Sequence, residues 1–201
     1  MESFSKAYFA RLERVIQQQD AAAYDHAIDL VRTAWQQGRQ VITLGNGGSA
    51  MTALHFVADW SKSVFLKKGK PFRGRSLIDN MGLVMAYSND LSFQDLFIEQ
   101  LKNILEPGDL VIAISGSGNS ENVIRAVEYA NQSGAVTLGL SGFDGGRLKK
   151  VSQFNLWVDC NDMQIVEDVH AVFGHLTVQA LRISRKFYWK TMPDVWIRSL
   201  K

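Results

Sequence analysis

The chain has 201 residues, 46% hydrophobic and 21% charged, with a net charge of +2. That composition suits one globular domain with a substantial core, and a net charge of +2 by itself implies neither a nucleic-acid binder nor a membrane-surface protein. Cys160 is the single cysteine, which excludes an internal disulfide framework. The sequence also lacks a basic–apolar–small leader and any run of about 18 apolar residues, so the expected compartment is the cytoplasm.

Met1–Gln37 reads as two helices. Tyr8, Leu12 and Val15-Ile16 make one apolar stripe; Asp20 can cap a second helix carrying Ala23, Ala27, Leu30-Val31 and Trp35. Val41–Leu44 is a short apolar strand. It breaks at Gly45-Asn46-Gly47-Gly48-Ser49 and resumes with helical periodicity through Ala53, Leu54, Val57 and Ala58. Strand, glycine-rich turn, helix is the arrangement that aims free N–H groups and a positive dipole end at an anion. Glycine permits the close backbone approach, and Ser49 can cap the helix or donate its hydroxyl. Leu66–Arg75 is a compact basic loop, either a solvated connector or a mouth that attracts an anionic ligand. Ser76–Ile78 reads as a short strand and Gly82–Tyr87 as a helix. Ser88-Asn89-Asp90 then reads as a polar turn, and Phe93–Leu105 as an amphipathic helix stopped by Pro107-Gly108.

Asp109–Ser120 repeats the glycine pattern: strand Leu110–Ile114, then Ser115-Gly116-Ser117-Gly118-Asn119-Ser120, then a helix to about Ser133. Charge-assisted bonds from Ser115, Ser117 and Ser120 to a phosphate would contribute roughly 1.5–3 kcal/mol each. No lysine completes a nucleotide-triphosphate loop, and neither segment matches G-x-G-x-x-G with a following acidic residue. A small phosphorylated ligand gripped by both turns fits best. Ala135–Leu140 and Asn155–Val158 read as further strands, separated by loop Gly142–Gly146 and helix Arg147–Val151. A long helix runs from Ile165 to about Trp189, followed by a tail, Lys190–Lys201. The alternation predicts an α/β domain with a parallel five-stranded sheet covered on both faces. It divides into N-terminal helices (1–37), core (38–189) and tail (190–201).

His55 and Asp59 stand four apart on one helix, a spacing for two metal ligands or an acid–base pair. Glu167 and Asp168 open the last helix, followed by His170 and His175. By spacing alone, Glu167 and His170 (i, i+3) form the tidier ligand pair.

GNGGS leading into a helix with His55, then SND, ISGSGNS and EDVH…GH, resemble the sugar isomerase (SIS) domain proteins over nearly the whole chain. The phosphoheptose isomerases are the nearest branch. The resemblance implies a flavodoxin-like three-layer sandwich, a homotetramer built partly by the N-terminal helices, and a cytoplasmic enzyme with a small phosphosugar as its partner. The implied reaction takes sedoheptulose 7-phosphate to D-glycero-D-manno-heptose 7-phosphate through a cis-enediol, for lipopolysaccharide heptose synthesis. By position it assigns Asn46, Gly47, Gly48, Ser49, Asn89, Asp90, Ser115, Gly116, Ser117, Ser120 and Glu167 to substrate. His55, Asp59, Glu167 and His175 would hold one Zn²⁺ per subunit, with Asp59 and His175 also moving protons.

Three positions depart from the branch. Asp59 stands for its catalytic glutamate, Glu167 for its glutamine ligand, and Gly116 where threonine is frequent. Glu167 and His175 are eight residues apart, roughly 12 Å along an unbroken helix. Either Glu167 precedes the regular helix, or the two serve sites shared between subunits; His170 stays the alternative by spacing. The competing function is a non-catalytic module that senses phosphosugar or bridges partner proteins.

Overall fold

The computed structural model describes residues 3–64 and 70–183. Positions 66–69 of the basic loop, the end of the predicted last helix (184–189) and the tail (190–201) lie outside the described residues. The elements are α1 (Phe4–Gln17), α2 (Ala21–Gln37), β1 (Gln40–Gly45), α3 (Gly47–Val64), β2 (Arg73–Ser76), α4 (Met81–Asp90) and α5 (Leu96–Ile104). They continue as β3 (Leu110–Ser115), α6 (Glu121–Gln132), β4 (Val136–Ser141), α7 (Gly146–Val151), β5 (Phe154–Trp157) and α8 (Met163–Ile183).

All strand pairings are parallel, in the order β2-β1-β3-β4-β5. The fold is the five-stranded parallel sheet flanked by helices that the alternation predicts. Period-2 side chains split the core in two. Val41, Leu110, Ile112, Ile114, Leu138 and Leu140 face Trp35, Phe56, Trp60 and Phe173 from α2, α3 and α8. Ile42, Leu44, Val111 and Ala113 face Phe97, Leu101, Val123 and Val127 from α5 and α6. Because β1 is followed by β2 on one side and β3 on the other, the strand order reverses between β1 and β3. A crevice opens at their carboxyl ends, the position where open α/β sheets hold ligands.

Two predicted elements move. The edge strand forms over Arg73–Ser76, not Ser76–Ile78. Its backbone pairs with β1 (Gln40 opposite Arg73) while charged side chains stay in solvent, as an edge tolerates. Apolar Leu77 drops into the core just beyond it. Ser88-Asn89-Asp90 is the last turn of α4, not a free turn. Asn80 accepts from Leu83 N–H at 3.2 Å to start that helix, and a nucleated helix extends through residues of middling propensity at small cost. No residue of α4 is buried. Met81, Leu83 and Met85 on it, with Leu91 and Phe93 just after, remain exposed.

Candidate active site

Asn46, Gly47, Gly48, Ser49, Ser115, Gly116, Ser117 and Ser120 line one open pocket of about 260 Å³ at the ends of β1 and β3. Both glycine turns therefore converge on a single crevice, because the strands that precede them are hydrogen-bonded neighbours (Gly45 opposite Ile114). That approach requires glycine at position 45, where a Cβ would meet the Ile114 and Ser49 carbonyl oxygens at 2.9 Å. The hydroxyls are already organised: Ser115 Oγ donates to Ser120 Oγ at 3.2 Å, and Ser117 Oγ accepts from Asn119 N–H at 3.3 Å.

Three helices begin at this rim, α3 at Gly47, α6 just after Ser120 and α8 at Met163. Each contributes roughly half a positive charge at its N-terminus, which favours an anion. Among the described residues, the lining contains no lysine or arginine, and its one titratable side chain is Glu167. Glu167 is the fifth residue of α8, so it lies inside the regular helix rather than ahead of it. Its carboxylate sits over Gly48, where an added Cβ would stand 2.3 Å from Oε1. Gly116 has a comparable reason: a Cβ there would meet Met163 Sδ at 2.4 Å, so threonine could enter only if Met163 moved.

A second group forms farther along the same helices. The potential ligand atoms of His55, Asp59 and His175 all lie within 4.8 Å of one another. His55 Nε2 is 3.3 Å from Asp59 Oδ2, and the His55 and His175 ring centres are 5.1 Å apart. Gly48 meets Glu167 near the start of α3 and α8, and His55 meets His175 further on, so the two helices run parallel. Phe56 against Phe173 at 5.8 Å, and Trp60 Nε1–H donating to the Gly174 carbonyl at 3.0 Å, lock them side by side. The triad thus stands about two turns, roughly 10–12 Å, from the pocket between the glycine turns. It is open to solvent, with the His55 side chain 47% exposed. Two imidazoles and one carboxylate within reach of solvent form a donor set that would suit zinc.

The other candidates lie elsewhere. Glu167 is outside the three-residue ligand group. Asn89 and Asp90 sit on the exposed end of α4, where Asn89 Nδ2 donates to Asp90 Oδ1 at 2.8 Å, and neither lines the pocket. His170 is 1% exposed, and neither ring nitrogen has a hydrogen-bond partner of ordinary geometry. Burial pushes its pKa down to about 4, opposed only in part by the Ser141 backbone beside it. A residue that sequence reasoning passed over enters here. Asn122, on α6, exchanges two amide hydrogen bonds with Asn46, at 2.8 and 3.0 Å.

The family model for the SIS domain matches residues 3–142 of the chain. The phosphoheptose isomerase of Crocosphaera subtropica is 34% identical over 165 residues, 82% of this chain and 83% of that protein. The phosphoheptose isomerase of Aquifex aeolicus is 33% identical, over 73% of this chain and 76% of that protein. The solved structure of a phosphoheptose isomerase from Neisseria gonorrhoeae has a TM-score of 0.82 at 26% identity, covering 89% of this chain and 96% of that one.

Proposed function

This chain belongs to the SIS domain family, and we propose that it is a phosphosugar isomerase converting sedoheptulose 7-phosphate to the aldose heptose 7-phosphate. The observation that carries the reading is the placement of an anion cradle and a His–Asp–His group on one pair of parallel helices, two turns apart. A seven-carbon ketose with a terminal phosphate has the length and polarity to bridge them. Ser115, Ser117, Ser120 and the Asn46–Ser49 turn hold the phosphate end, with Glu167 facing the bound molecule.

At the other end, Asp59 takes a proton from C1 and returns it at C2, through a cis-enediol. His175 carries the hydroxyl proton from O1 to O2, so that a ketose becomes an aldose with no net gain or loss of atoms. His55, Asp59 and His175 would hold a divalent cation, zinc by donor type, whose chemistry is to polarise the sugar carbonyl. An aspartate in place of a glutamate shortens the reach of the base by one methylene. A misplacement near 1 Å costs on the order of 100-fold in rate, so turnover slower than that of the glutamate-bearing relatives is expected.

Asn89 and Asp90 reach sugar hydroxyls only across an assembly, and the exposed apolar face of α4 beside them supports such a contact. A homotetramer, a cytoplasmic setting and a product feeding surface-polysaccharide heptose complete the proposal. The test is direct: incubate the protein with sedoheptulose 7-phosphate, with and without Zn²⁺, and follow the aldose. Product formation that depends on His55 supports the enzyme; bound sugar with no product in either condition supports the non-catalytic phosphosugar-binding module.

A further inference from the structure

We propose that Asn122 is a positioning residue, whose paired amide bonds with Asn46 clasp the two phosphate turns together and keep the first turn of α3 free for the anion. The inference rests on the reading of the pocket as a phosphate site. Asn46 directly precedes α3, and its carbonyl already accepts the first helical bond, from Ala50 N–H at 3.1 Å. That makes it the N-cap, where asparagine ordinarily turns its side-chain oxygen onto the second or third N–H of its own helix. Here Asn46 Oδ1 accepts instead from Asn122 Nδ2 at 3.0 Å, while Asn46 Nδ2 donates to Asn122 Oδ1 at 2.8 Å.

Asn122 is itself immobilised. It is 2% exposed, and its Oδ1 also accepts from Val123 N–H at 2.9 Å. A buried amide with both ends occupied by partners is costly to rotate. The second turn shows the same economy, since Ser120 precedes α6 without a side-chain capping bond and its hydroxyl is engaged by Ser115. Neither residue that precedes these helices turns its side chain onto its own first turn, although Asn122 Oδ1 takes the Val123 N–H of α6, and the clasp joins residues 76 apart in sequence. Without Asn122, the Asn46 amide is released onto α3, where it competes with the phosphate for the same N–H groups.

Three variants test this: Asn122→Ala, Asn46→Ala and the double substitution. KM and kcat for sedoheptulose 7-phosphate are measured at matched folded fraction, and inorganic phosphate binding is measured by calorimetry. Asn122→Ala is expected to raise KM and the phosphate Kd roughly tenfold, equivalent to about 1.4 kcal/mol, with kcat within about twofold. The double variant is expected to bind no worse than the weaker single one, because the pair acts as a unit. Unchanged KM and phosphate affinity in Asn122→Ala overturns the proposal, as does full multiplication of the two effects in the double. Should Asn122→Ala fail to fold, Asn122→Ser, which keeps a polar group at the buried position but cannot exchange two bonds with Asn46, decides the same question: a roughly tenfold loss of phosphate affinity supports the clasp, and wild-type affinity refutes it. Wild-type protein that neither isomerises the sugar nor binds phosphate overturns the pocket itself, a different result from tight wild-type binding that the variants leave intact.

Discussion

The two ends of the α3–α8 pair are built on opposite principles. The cradle is made of backbone amides and short hydroxyls, fixed by strand register, by the Gly45 approach and by the Asn46–Asn122 exchange. The triad is made of side chains alone, half exposed, with a 3.3 Å His55–Asp59 contact between two of its members. On the proposed reading, a rigid cradle would select the phosphate end, and a loose donor group would take its working geometry from the cation and sugar. Binding and chemistry should therefore separate cleanly when each end is perturbed.

The largest separation is expected at the triad. His175→Ala should lower kcat by about 10³-fold, within the range for losing a proton-transfer group, while KM stays within a few-fold. The side chain is exposed, so the melting temperature should hold. Dialysis against a chelator should have the same signature, with activity lost and restored by Zn²⁺ while inorganic phosphate titrates unchanged. Loss of phosphate binding on chelation would erase the proposed division. Ser117→Ala should act in reverse, raising KM about tenfold or more with kcat nearly preserved, as expected for one charge-assisted bond.

A third measurement probes the buried side of α8. His170 is held neutral by burial, with its pKa near 4 against 6.5 for an exposed imidazole. Between those values the unfolded chain binds a proton that the native state refuses, so stability is full above pH 6.5 and falls as pH drops toward 4. The slope approaches 1.4 kcal/mol per pH unit for this one group. His170→Leu should flatten that part of the curve in urea midpoints measured at several pH values, and an unchanged slope would show that His170 is not its source.

The smallest effect discriminates between two roles for Glu167. Its carboxylate faces the anion pocket, so Glu167→Gln should improve inorganic phosphate affinity two- to threefold, a modest gain for a half-buried charge. Zinc content should stay the same. Metal lost on this substitution would make Glu167 a ligand after all and would tie the two ends into one site.

How much of this was legible varies by residue. The cradle was plain because glycine and serine clustered after apolar runs carry their meaning locally. His55 and Asp59 were legible from helical spacing. His170 and His175 were not separable that way: five residues is 500°, which places them on opposite sides of α8. One side faces the Ser141 end of β4 and the other faces His55. Asn122 gave no signal, since an asparagine in the first turn of a helix reads as an ordinary polar residue until its partner from the other turn is beside it.

Local pattern alone determined the alternation of strands and helices, the two glycine-rich turns and the absence of a nucleotide loop, because each depends on neighbours within a turn or a strand. The tertiary structure decided which turns share a crevice, which histidine meets His55, where Glu167 points and what Asn46 spends its amide on. Those outcomes come from strand order and from two helices running parallel in contact, and no spacing along the chain encodes the distance between residues that meet only after the sheet has closed.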